Sequence, residues 1–192
     1  MVLLTAFCPP IEFFSILGKN SVVFLEAHEH YQKQSWRNRC RILSACGPLD
    51  LRVPVVHGED LYHTPVREVK VDYSTPWTAQ MEYAIDSAYY SSPFFIYYRD
   101  ELFSILESRP ETLWELNLSL IKFFCRKLGI APEIRETREY LGADVDIHPK
   151  RESSFRCREY WQVFSQKSGF VEGLSIMDLL FNEGPESLCY LK

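Results

Sequence analysis

A chain of 192 residues that is 46% hydrophobic and 24% charged can bury a sizeable core and fits one domain spanning residues 1–192. Its formal net charge of −5 and pI of about 5.6 argue against nucleic acid as a partner, because neutralising phosphates along a strand needs a basic face. No apolar run approaches the roughly 20 residues of a membrane span.

The opening MVLLTAFCPP has no positive n-region and no small-residue cleavage site, so a cytoplasmic protein without a signal peptide is expected. Residues 3–7 are apolar and predict a strand, ended by Pro9 and Pro10, which cannot donate to a ladder. Residues 11–17 carry Ile11, Phe14 and Leu17 at helical spacing, with Gly18 and Asn20 as stop signals. Residues 21–27 read as a second strand, so the chain begins β–turn–α–β with a crossover helix of about two turns.

A short strand is expected at 41–43, a turn at Cys46-Gly47-Pro48, and a half-buried strand at 49–56, where Leu49, Leu51 and Val53 alternate with Asp50 and Arg52. A polar loop begins at residues 57–60, and Val66, Val69 and Val71 predict another strand. The middle is helical, over residues 77–90, 94–107 and 112–128. In the last of these Leu113, Leu116, Leu120, Phe123 and Phe124 form a stripe, Thr112 with Glu115 reads as a capping box, and Gly129 closes the far end. Strands are expected at 134–140 and 160–164, with an irregular polar stretch at 142–158 between them. A final helix over 174–182 has Ser175 as N-cap and Gly184-Pro185 as its stop. The pattern predicts an α/β (or α+β) fold: a single three-layer domain with mixed sheet and helices in the middle of the chain. The six cysteines contain no C-x-x-C pair and read as small hydrophobes in a reducing compartment.

Chemistry-bearing residues concentrate after the second strand. Continued strand alternation would put Glu26, His28 and His30 on one face, as an acid–base set in which Glu26 orients a catalytic histidine. A metal is the less favoured reading, since a further ligand is missing from the pattern. Next come Lys33, Trp36, Arg37, Asn38, Arg39 and Arg41. An extended backbone would align the three guanidiniums, a costly arrangement unless anions meet them, and arginine suits bidentate phosphate or carboxylate recognition. Trp36 offers a stacking face for a base or sugar. The competing reading is a solvated basic edge paired with surface acids. His148 and Lys150 form a second basic run beside Pro149, and Asp178 lies in the first turn of the last helix, where anions also bind. Glycine-rich phosphate loops and hydrolase or zinc-protease motifs are absent.

These residues, with Pro9-Pro10-Ile11-Glu12-Phe13-Phe14, the block EHYQKQSWRNRCRI at 29–42, LRVPV at 51–55, AYYSSPFF at 88–95, IHPK at 147–150 and LSIMDLLFNEGP at 174–185, resemble the WbqC-like family in its short form. In that short form residues 142–158 stand where longer members carry a glycine-containing segment. The resemblance implies a part in surface-polysaccharide (O-antigen) synthesis: acyl or aminoacyl transfer to an activated sugar, with an acyl or aminoacyl donor as co-substrate. The expected partner is therefore a small anionic molecule, met either by a group-transfer enzyme or by a non-catalytic module that binds a phosphorylated metabolite. Oligomeric state is left open.

Overall fold

The computed structural model describes every residue except Glu59, Glu152 and Ser154. The expected polar loop at 57–60 and the irregular stretch at 142–158 therefore each include a position outside the described residues.

Strand β1 (Val2–Leu4) runs into helix α1 (Ile11–Lys19), which returns the chain to β2 (Val22–Glu26); the strands pair in parallel with Leu3 opposite Leu25. The apolar side of α1, Ile11, Phe13, Phe14 and Leu17, is buried. A separate hairpin follows, β3 (Arg39–Ser44) and β4 (Gly47–Arg52), closing around Ala45-Cys46 with Arg39 opposite Arg52 and Arg41 opposite Asp50. Helices α2 (Trp77–Tyr89), α3 (Phe95–Glu107) and α4 (Leu113–Leu128) come next. The chain then adds β5 (Glu133–Glu136) to the other side of β2, giving the parallel order β1-β2-β5. The short helix α5 (Ser165–Ser168) precedes α6 (Ile176–Glu183). The protein is thus α/β, with parallel and antiparallel pairing in two separate sheets.

Local signals explain the helices. In α4 the Thr112 hydroxyl accepts from the Glu115 N–H, the Glu115 carboxylate accepts from the Thr112 N–H, and Gly129 is left-handed at φ +71°. The Ser175 hydroxyl accepts from the Met177 N–H at 3.3 Å and donates to the Cys8 carbonyl at 2.8 Å. Every residue from 176 to 182 is buried, as befits a central helix that is mostly apolar all round. Among the described residues no helix is long and apolar enough to cross a membrane.

Two expected strands do not form. Residues 66–71 make a 3-10 turn at Val66–Glu68 and only single bridges, Val55 to Val71 and Lys70 to Thr112. Pro54 and Pro65 supply no N–H here, so the Val66 N–H turns to the Glu29 carbonyl instead. Residues 160–164 also form no ladder. The amide of Gln162 takes that part, donating to the Val171 carbonyl and accepting from the Val171 N–H, both at 2.9 Å.

The segment between β2 and β3 is irregular yet rigidly held. Arg37 is 1% exposed and Glu29 4%. The Arg37 Nε donates to Glu29 Oε1 at 3.1 Å and Nη2 to Oε2 at 2.5 Å. Burial pushes the Glu29 carboxyl above its ordinary value, and the Arg37 guanidinium pulls against it. The Asn117 amide of α4 then donates to the Arg37 carbonyl at 2.8 Å. Removing one partner strands the other charge in the core. Arg37→Ala or Glu29→Ala is therefore expected to lose about 3–5 kcal/mol in urea unfolding, while an Arg37→Met, Glu29→Leu pair loses clearly less than the two singles added together.

Candidate functional site

The expected histidine set does not assemble. Strand β2 stops at Glu26 because that buried carboxylate accepts the His28 N–H at 2.9 Å, which turns the chain. Glu26 also accepts from the Thr137 hydroxyl at 2.9 Å and from the Leu141 N–H at 2.8 Å. It thus ties β2 to the chain after β5 and bonds the backbone of His28, not its imidazole. The His28 ring lies 3.1 Å from the Thr137 carbonyl. His30 is exposed, edge-on to His63 with ring centroids 5.9 Å apart. Neither histidine lines either of the two larger cavities.

The arginines separate as well. Arg37 precedes β3 and turns inward to Glu29, leaving Arg39 and Arg41 on the strand. Strand alternation and cross-strand pairing put Arg39, Arg41, Asp50 and Arg52 on one face of the hairpin. Asp50 touches both strand arginines. It meets Arg41 through two contacts of 2.7 and 3.2 Å and lies 3.9 Å from Arg39.

A cavity of about 420 Å³ opens at the Arg39 end, lined by Tyr31, Lys33, Asn38, Arg39, Arg52 and His57 among others. No carboxylate is among its described lining residues. The Arg39 side chain is 12% exposed, and its Nε has no hydrogen-bond partner among the described residues. Burial, then the neighbouring Arg52, lowers the Arg39 pKa, both effects of crowded positive charge that lacks water. Asn38 is fixed by its amide, which donates to the Val53 carbonyl at 2.8 Å, leaving Oδ1 buried and unpartnered among the described residues. The Lys33 ammonium rests 4.3 Å from the Tyr62 ring centroid.

A second cavity, of about 320 Å³, opens at the Arg41 end. Trp36, Ile147, Phe155 and Phe170 are among its apolar lining, Arg41, Arg151 and Arg156 are its cationic groups, and His148 adds an imidazole. Trp36 is 6% exposed, with the Arg41 guanidinium 5.6 Å from its ring centroid, so that face already carries a cation. Burial pushes the His148 imidazole below its ordinary pKa; Asp146 opposes, while Arg37, Arg151 and Lys150 add to the lowering. That biases the ring toward its neutral form. The Lys150 side chain does not line the cavity, although its N–H donates to His148 Nδ1 at 3.1 Å. The Cys157 thiol on this wall is pushed up to about 11, by burial first and then by Glu172, so it is not a thiolate at neutral pH.

Asp178 faces neither cavity. It is 1% exposed and accepts from the Tyr89 hydroxyl at 2.9 Å, the Tyr160 hydroxyl at 2.6 Å and the Gln162 amide at 3.0 Å. Because Gln162 grips Val171, this carboxylate anchors a wall of the second cavity from behind. Sequence reasoning missed Arg52 and His57 in the first cavity, and Arg151, Arg156, Phe155 and Phe170 in the second. The readable signal for Arg52 was the two-residue turn, which sets Arg52 opposite Arg39.

The model of the WbqC-like protein family matches residues 5–151. The match covers the first cavity and His148, and stops short of the 153–173 wall of the second. A curated relative, "Uncharacterized protein Rv1507c" of Mycobacterium tuberculosis (strain ATCC 25618 / H37Rv), is 30% identical over 199 residues, covering 84% of this chain and 84% of that protein. No solved structure matches the chain.

Burial pushes the Asp178 carboxyl up to about 6, against the pull of its three donors. The protonated acid is therefore favoured by folding. This contribution is fully present below the ordinary aspartate value near 4 and lost as pH rises through about 6, a change on the order of 3 kcal/mol. Unfolding midpoints measured from pH 4 to pH 7 should show that decline in the native protein and a flatter profile in Asp178→Asn.

Proposed function

This chain belongs to the WbqC-like protein family, and within that family we propose that it binds a phosphorylated small molecule of the nucleotide-linked sugar kind used in surface-polysaccharide synthesis, with the phosphate in the basic cavity. The observation that carries this is Arg39. Its guanidinium is largely withdrawn from water, its Nε is unpartnered among the described residues, and it faces a cavity whose described lining holds Lys33, Arg52 and His57 without an acid. Asp50 offsets it only in part, from 3.9 Å, because its close contacts go to Arg41. A phosphate is the group that satisfies a guanidinium with two parallel N–H···O contacts while meeting a second and third cation. Asn38 Oδ1 then accepts from a hydroxyl on the ligand, since its amide nitrogen is already committed to Val53.

Group transfer to that ligand is the second reading, favoured by the His148 imidazole, biased toward its neutral form, in the adjoining cavity. There it would act as the general base that takes the acceptor's proton as an acyl or aminoacyl group arrives from its donor. In this reading Glu26 keeps its place as a structural tie, and His28 and His30 stand outside the chemistry.

Calorimetry with pyrophosphate and a panel of nucleoside diphosphate sugars tests the first reading. Affinity should fall as salt rises, and Arg39→Ala and Arg52→Ala should each weaken binding at least about tenfold, the loss of one charge-assisted contact. Neither should lower Tm appreciably, and undiminished affinity in both variants refutes the phosphate site. For the second reading, mass spectrometry of donor–acceptor mixtures should show product that His148→Asn abolishes and His30→Ala leaves intact. The reverse pattern would return the base to His30.

A further inference from the structure

The cavity at the Arg41 end is charged but balanced. Arg41 is paired with Asp50 at 2.7 Å, Arg151 with Asp146 at 3.0 Å and Arg156 with Glu172 at 3.2 Å. A phosphate entering here would meet guanidiniums already facing carboxylates, and would be set against Asp146 and Glu172. The cavity therefore disfavours the anion that the Arg39 end invites. What it presents is a set of N–H donors and carboxylate acceptors side by side, around an apolar floor that includes Trp36, Ile147, Phe155 and Phe170. A hydroxyl is both donor and acceptor, so neighbouring hydroxyls match such pairs, while the C–H face of a saturated ring matches the aromatic floor.

The two cavities also share a support. Arg39 and Arg41 stand two residues apart on one hairpin face, about 7 Å along a strand, and Asp50 contacts both. That is about the span from a phosphorus to the far-side hydroxyls of a ring attached to it.

We propose that the Arg41-end cavity takes an uncharged ring bearing adjacent hydroxyl groups, and that this ring belongs to the same molecule whose phosphate lies at the Arg39 end. The proposal rests on the phosphate reading above and assigns the other half of that ligand. Ile147 and Phe155 bound the ring, and the Arg156–Glu172 and Arg151–Asp146 pairs hold its hydroxyls.

The test compares inorganic phosphate with a panel of hexose 1-phosphates, glycerol phosphate, which has no ring, and cyclohexyl phosphate, which has a ring without hydroxyls. At least one hexose phosphate should bind tenfold or more tightly than inorganic phosphate, and both controls should gain less. Phe155→Ala and the isosteric Glu172→Gln should each erase that gain while leaving inorganic phosphate binding unchanged. Glu172 is exposed, so its variant keeps the test open if Phe155→Ala unfolds the wall. The inference is overturned if no hexose phosphate exceeds inorganic phosphate, or if the gain survives both substitutions. Its failure is distinct from failure of the phosphate reading, in which inorganic phosphate and pyrophosphate binding is indifferent to Arg39→Ala.

Discussion

The two-pronged contact between Glu29 and Arg37 is the constraint on which the rest of the site depends. Residues 27–38 have no helix or ladder to hold them, so their order comes from side chains and from single backbone bonds, such as the Phe7 N–H to the Trp36 carbonyl and the Tyr31 N–H to the Thr64 carbonyl. The buried pair fixes the middle of the segment, the Asn117 amide pins its carbonyl to α4, and the Val66 N–H pins Glu29 from the other side. Such a pair is not a cheap source of stability, because both charges leave water. Its value here is directional. With Arg37 locked inward, the residues on either side diverge: Trp36 toward one cavity and Asn38 toward the other. An apolar pair of similar volume would fill the space without setting that direction.

The hairpin then divides the surface by charge. One face carries three arginines and one aspartate, and Asp50 is close enough to satisfy only one of the three fully. The excess accumulates at the Arg39 end. A chain of net charge −5 can hold such a basic hollow because the compensating acids lie elsewhere, several of them around the neighbouring cavity. Global negative charge disfavours an extended polyanion as partner, and it leaves room for a single compact anion.

What was legible in the sequence was mostly local. The stripe and capping box of α4, the Ser175 cap of α6 and the β–α–β opening follow from spacings within a few residues, and the structure has them. Lys33, Asn38 and Arg39, candidate binding residues by sequence, do line one cavity together. The misplacements have distant causes. Glu26 ends its strand in concert with Thr137 and Leu141, more than a hundred residues away. Residues 160–164 have the apolar, aromatic composition of a strand, but the partner at Val171 is met by a side-chain amide. Arg37 carried no periodic sign of burial, because the segment around it has no period. Within the aromatic-rich stretch 89–98, composition likewise does not say which rings go inside: Tyr90 and Tyr97 are exposed while Tyr89, Phe95 and Tyr98 are buried.

The moorings of the second cavity's outer wall have a structural corollary. On one side Val2 and Asp144 exchange backbone and side-chain bonds and Leu3 bridges Val145; on the other, Tyr160 is moored to Asp178. Between those fixed points the described backbone contributes nothing to either sheet. Changes of length there would leave both sheets paired while altering the lining of the Arg41-end cavity.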